Sequence, residues 1–424
     1  MGIVRRQGLR NTIISYIGLG LGFVNTVLVL PKILEPQQIG LTSILVALAA
    51  MFAQVSAFGF GNMGVRFFPY FRKPEAGHNG FLPLLLGVPL LGFGLVAALY
   101  WIGKPLVVSW YADNATDAAL LGRYYIWGLV LALFTLLLNL QDAYLKGLYH
   151  TAFSSFSQEI VLRLLITAGA LLFAGGYLDF HGYVLWYIGV SSSIALLLTV
   201  YTAFIGELHL RPTRAALRVR PLREMLSFGA FALLGNVSGV VISSIDSLMV
   251  GAKVDLDAAG IYGTAFFIST ALVLPFRALY KIAFPLLADY WKNHDLPRMA
   301  DFYQRTTRLN TVLGCYLALG IALNLDFIYA QMKPAYAAGT AAVLILLAAR
   351  LFDGITGVNG LIVALLPLRF DFQRLPGAGY GAAESAADSA FRADGRGRSG
   401  GYCPGYHQPG PHLVCVAQLR ITAV

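Results

Sequence analysis

The chain has 424 residues, 57% of them hydrophobic and only 12% charged, with a formal net charge of +10. Soluble proteins carry about twice that share of charge, so this composition cannot supply a water-facing surface; it excludes an ordinary soluble domain and fits a chain whose outer solvent is lipid. The positive balance does not point to nucleic acid, because the Lys and Arg residues fall in short gaps between apolar runs rather than in one patch.

Crossing the hydrocarbon takes about 20 mostly apolar residues. Ten segments qualify, at roughly 11–33, 40–68, 80–102, 119–145, 152–175, 182–206, 225–250, 259–288, 307–330 and 337–366. They are apolar all round and lack strict alternation, which predicts helices rather than barrel strands. Their prolines (Pro31, Pro69, Pro89, Pro275, Pro285) are tolerated where neighbouring helices satisfy the freed backbone groups. Arg5, Arg6 and Arg10 precede a first run too long for a signal-peptide core, and no small-residue cleavage site follows, so it reads as an uncleaved span. Cys315 lies in a span and Cys403 and Cys415 near the end, with neither disulfide nor metal spacing.

The gaps between spans alternate in charge. One set holds 16 basic residues: Arg5, Arg6, Arg10, Arg66, Arg72, Lys73, Lys146, Arg211, Arg214, Arg218, Arg220, Arg223, Lys292, Arg298, Arg305 and Arg308. The other holds four, namely Lys32, Lys104, Lys253 and Lys333. Positive loops stay inside, which places the N-terminus and the 211–223 stretch in the cytoplasm.

That basic stretch divides the chain, and an internal repeat supports the division. Ile39-Gly40-Leu41 superposes on Ala259-Gly260-Ile261 at an offset of 220. Span one then falls on span seven, and Pro69 falls near Pro285. Both halves start on the same side, which is the signature of a parallel repeat with a substrate path between two bundles. The expected fold is an all-α polytopic membrane protein of two pseudo-symmetric bundles. Residues 1–206 form the first with six spans, 207–224 a basic linker, and 225–370 an incomplete second bundle with four. Residues 371–424 contain no run of span length and are rich in Gly, Ala, Arg and Pro. A shifted reading frame in a GC-rich gene accounts both for that composition and for the two spans that the offset places there. A disordered tail accounts for the composition alone.

Ionisable residues within spans are costly and by default functional. They are Arg66, Arg123, Arg163, Arg277, Lys281, Arg350, Asp142, Glu159, Asp246 and Asp353. Arg277 and Lys281 are four apart and share a helical face, and the repeat places Arg66 at similar depth. Cations in a low-dielectric cleft attract a diphosphate, and the Arg fork matches phosphate oxygens; the competing role is snorkelling to the interface. Arg123 and Arg163, near span ends, favour snorkelling. Arg350 either joins the cationic set or pairs with Asp353. Asp246, late in span seven, either binds a coupling ion, Na+ or H+, or anchors the helix end. The seven histidines lie in loops, near span ends or in the tail, and no zinc spacing, nucleophile elbow or phosphate loop occurs, so no enzyme and no organic cofactor are expected.

Asn236 through Gly251, ending Ile245-Asp246-Ser247-Leu248-Met249-Val250-Gly251, is followed by Ala259-Gly260-Ile261-Tyr262. With Arg10-Asn11-Thr12 through Pro31 and Ile39-Gly40-Leu41, this resembles the polysaccharide biosynthesis (O-antigen flippase) family of the multidrug/oligosaccharidyl-lipid/polysaccharide exporter superfamily, over about residues 5–366. The resemblance implies a V-shaped pair of bundles working by alternating access in the bacterial inner membrane. The cargo it implies is an undecaprenyl-diphosphate-linked oligosaccharide, moved from the cytoplasmic to the outer leaflet. Membrane lipid, glycosyltransferases and a polysaccharide polymerase are the implied partners. The alternatives are a cation-coupled multidrug exporter of the same fold, or a glycan polymerase or ligase.

Overall fold

The structure, a computed structural model, describes residues 2–111, 114–211, 222–293 and 295–365. Most of the basic linker and the whole segment after 365, on which the frame-shift expectation falls, lie outside the described residues. Helix α1 (Gly2–Phe23) runs on through a π-helical stretch (Val24–Val29) to Ile33. It is followed by α2 (Pro36–Ala57), α3 (Phe60–Phe71), α4 (Phe81–Ser109) and α5 (Ala115–Gly147). Helix α6 (Thr151–Phe156) continues through a second π-helical stretch (Ser157–Val161) to Ala174, and α7 (Phe180–Phe204) completes the first half. The second half comprises α8 (Leu222–Lys253), α9 (Leu256–Thr270), α10 (Val273–Lys292), α11 (Leu296–Leu323), the short α12 (Leu325–Ala330) and α13 (Thr340–Leu365).

Among the described residues nine helices are long and apolar enough to cross a membrane, and the chain is an all-helical multi-pass membrane protein. The expected span at 259–288 is present in two pieces, α9 and α10. Pro275 explains the break, because its ring collides with the carbonyl four residues back, which belongs to Ala271 between the two helices. The expected span at 40–68 is also broken. Phe58 and Gly59 both adopt left-handed backbone (φ 49° and 72°), which ends α2 and re-aims the chain into α3. Span two and its repeat partner, span eight, are thus both interrupted, and Pro69 and Pro285 lie in the second piece of each.

The offset of 220 governs the packing. Asp257 Oδ1 accepts from the Gln37 amide at 3.1 Å, across a separation of 220 residues. Glu35 and Asp255, equivalent under the same offset, are the N-caps of α2 and α9. A Cβ on Gly40 would lie 1.9 Å from the Leu256 carbonyl oxygen, and one on Gly260 would lie 2.0 Å from that of Pro36. Each glycine therefore receives the equivalent carbonyl of the other half. Close helix crossings in lipid need small residues of this kind, and here a local twofold axis passes between them.

Hydrogen bonds between helix ends join ends from the same set of loops. On the basic side Asn11 Nδ2 donates to Thr151 Oγ1 (2.6 Å) and Arg72 to the Gly147 carbonyl. Also there, His78 Nε2 lies 2.7 Å from Glu207 Oε2. On the opposite side Lys333 Nζ meets Glu35 Oε1 (2.6 Å), and buried Tyr336 donates to the Leu34 carbonyl (3.2 Å).

If this crossing fixes the halves, Gly260→Leu should lower the unfolding midpoint in detergent by about 1–3 kcal/mol of overpacking, and Gly40→Leu likewise. Leucine at Gly20, whose Cβ position meets nothing within 4 Å, is the control. Equal midpoints for all three variants would show that α2 and α9 tolerate separation.

Candidate functional site

Beneath the glycine crossing lies a cavity of about 320 Å³, at the lower end of the size range of small-molecule sites. Both halves line it: α1, α2 and α7 from the first, α8 and α9 from the second. Five pairs of lining residues are equivalent at the offset of 220: Thr26 and Asp246, Thr42 and Tyr262, Ser43 and Gly263, Val46 and Phe266, Ala47 and Phe267. The cavity therefore sits on the local twofold axis. Its chemistry is not symmetric, because the first half contributes small side chains where the second presents a carboxylate, a phenol and two phenyl rings. Ser243, Ser244, Ser247, Tyr183 and Tyr187 complete a wall rich in hydroxyls, each able to donate and accept. Asp246 is the charged residue among the described lining residues. Tyr262 Oη donates to its Oδ2 at 3.1 Å.

The edge above the cavity is held by Asp117, a carboxylate 1% exposed at the start of α5. Its Oδ1 accepts from Gln37 Nε2 at 2.7 Å and its Oδ2 from the Leu256 amide at 2.9 Å. The first-turn amides of a helix have no internal partner, so one acid satisfies α9 while clasping α2. Sequence reasoning assigned no role to Asp117, Gln37 or Tyr262. The one signal for them was the offset that equates Gln37 with Asp257 and brackets Tyr262 in the Ala259-Gly260-Ile261-Tyr262 motif.

The sequence-derived candidates fall in separate places. Arg277 is exposed near the start of α10; the side chain of Lys281, one turn on, lies outside the described residues. Arg66 is exposed on α3, its guanidinium 4.4 Å from the centre of the Phe228 ring on α8. Arg350, half-buried on α13, stacks on Phe266 at 4.6 Å, which brings it into the neighbourhood of Tyr262 and Asp246. Arg123 lies over its neighbour Tyr124. Arg163 pairs with Glu159 (2.8 Å) where a Cβ on Gly22 of α1 would meet it, so both are helix-packing residues. Asp142 holds Lys146 (2.5 Å) and Ser154 (2.5 Å) at the α5–α6 corner.

A multi-pass helical bundle with a cavity on the axis of its own repeat is the architecture of a membrane transporter. The chain belongs to the polysaccharide biosynthesis protein family, whose signature matches residues 4–291. Among solved structures, it resembles the inward-facing conformation of a multidrug resistance MATE family transporter of the MOP superfamily. There the TM-score is 0.58 and the identity 12%, over 85% of this chain and 87% of that one. A MOP superfamily transporter from Pyrococcus furiosus aligns with a TM-score of 0.43 and 12% identity, over 86% and 82%. The first of these likenesses establishes the fold. Comparison with curated proteins gives no match.

Replacing Asp117 with Ala leaves a buried amide and Gln37 without their acceptor. The expected loss is about 1–3 kcal/mol of stability, with faster thiol labelling of a cysteine placed at Ala258. Unchanged stability and labelling would show that Asp117 does not hold α9 to α2.

Proposed function

We propose that the protein moves a lipid-linked oligosaccharide, an undecaprenyl-diphosphate glycan, from the cytoplasmic to the outer leaflet of the bacterial inner membrane by alternating access. The observation that carries this reading is the hydroxyl-rich cavity on the repeat axis, in a chain of the polysaccharide biosynthesis family. Hydroxyl and aromatic side chains suit sugars, which present many hydroxyls and an apolar ring face. The polyprenyl tail stays in lipid while the glycan travels along the seam. The diphosphate rests on Arg277 and Lys281, with Arg66 contributing from the first half. The basic side faces the cytoplasm, as loop charge dictates, so the N-terminus is cytoplasmic. Glycosyltransferases supply the cargo and a polymerase consumes it. A Na+ or H+ gradient drives the return step through Asp246.

One observation favours a second reading. The described charge on the cavity wall is acidic, and a carboxylate among aromatic rings also suits an organic cation. An exporter of cationic drugs with the same fold would use that wall and would not need Arg277 or Lys281.

Arg277→Ala with Lys281→Ala should reduce surface polysaccharide at least tenfold at normal protein abundance in cells that depend on this gene. Resistance to cationic drugs should not change. Unaltered polymer in that double variant, with drug resistance lowered instead by Asp246→Asn on the cavity wall, would replace the first reading by the second.

A further inference from the structure

Three helices bring a carboxylate and a guanidinium to the two ends of one aromatic pair. Asp246 on α8 accepts from Tyr262 of α9 at 3.1 Å. The Tyr262 and Phe266 rings are one turn apart, centroids 6.5 Å from each other. Phe266 carries the Arg350 guanidinium of α13 at 4.6 Å. Arg350 is ten residues into α13, about 15 Å from its start at 1.5 Å per residue. That is about half of a 30 Å hydrocarbon layer. It is too deep for easy snorkelling, and an Arg at such depth calls for a counter-charge.

We propose that Arg350 is a built-in counter-cation for Asp246 that competes with a soluble monovalent cation for that carboxylate. The proposal rests on reading the cavity as a transport path. In this structure the guanidinium is parked on Phe266, where the negative face of the ring holds it, and Asp246 keeps the Tyr262 hydrogen bond. A cation bound at Asp246 satisfies the acid and leaves Arg350 on its seat. When the cation leaves, the carboxylate is uncompensated, and Arg350 passes along the Tyr262 ring to pair with it through its planar fork. The swap conserves charge in the seam and draws α13 toward α8. Cation release and helix movement thereby become one event. On this view Arg350 is a positioning residue rather than a phosphate ligand.

The test is thermal unfolding of the full-length protein in lipid nanodiscs, titrated with NaCl against choline chloride at fixed ionic strength and pH. The wild type should be stabilised by sodium. Arg350→Gln should lower the half-effective sodium concentration by roughly tenfold, since a competitor worth about 1–2 kcal/mol is lost. Phe266→Leu removes the parking seat and should raise it, the opposite sign. Asp246→Asn should abolish the response, alone and combined with Arg350→Gln. Arg350→Lys, which keeps the charge, should restore most of the wild-type value and guards against a purely structural effect of the Gln variant. An unchanged or raised half-effective concentration in Arg350→Gln, or no sodium response in wild type and Arg350→Gln alike, overturns the proposal. None of these readouts uses a glycan, so they stand or fall apart from the polysaccharide assay of Arg277 and Lys281.

Discussion

The structure depends on the close approach of two backbones at Gly40 and Gly260. Where Cβ atoms are absent, α2 and α9 meet carbonyl to glycine, each receiving the equivalent residue of the other half. Lipid gives no hydrophobic drive to bring two apolar helices together, so contact must come from packing and polar bonds. The glycines supply the packing. Asp117, Gln37 and Asp257 supply the bonds, at helix starts whose free amides need acceptors. Everything below inherits this geometry: the local twofold axis, the cavity on it, and the pairing of each wall residue with its counterpart.

Symmetry of backbone with asymmetry of side chains gives the cavity its character. Had both halves carried aromatic rings at the positions of Val46 and Phe266, or of Ala47 and Phe267, the axis would be filled. Small residues on one side leave room for what the large ones on the other side contact. Asp246 stands where the first half has Thr26, so among the described lining residues the charge beside the axis is negative.

Much of this was legible in the sequence. The spans followed from hydropathy. The repeat followed from a three-residue motif, and the Gln37–Asp257 contact lies on its offset. The helix breaks were not legible. The apolar run continues straight through Phe58-Gly59, and only the left-handed backbone there ends α2. Pro275 was visible as a proline, but its effect falls on Ala271, inside an unbroken apolar stretch. Asp117 was opaque because its partners lie 80 and 139 residues away. Asp353 suggested itself as the partner of Arg350 by helical spacing. The ring that the guanidinium meets, Phe266, comes from another helix, which periodicity cannot reveal.

The two edges of the seam are not held alike. In the first half, α6 covers α1 at Asn11, Gly18 and Gly22. The equivalent residues on α8 are Phe231 (69% exposed), Ser238 and Ile242 (73% exposed), all uncovered among the described residues. Among the described residues α8 packs instead on the other half. Gly229 meets the Phe58 carbonyl, Asn236 accepts from Asn62 at 3.2 Å, and Phe228 receives Arg66. The Asn62–Asn236 bond is neutral and exposed and the Arg66 contact is cation–π, each worth about 1 kcal/mol or less, while Gly229 and Met225 of α8 are buried against the first half. The opposite edge has a buried carboxylate with two donors, whose disruption leaves desolvated groups unpaired.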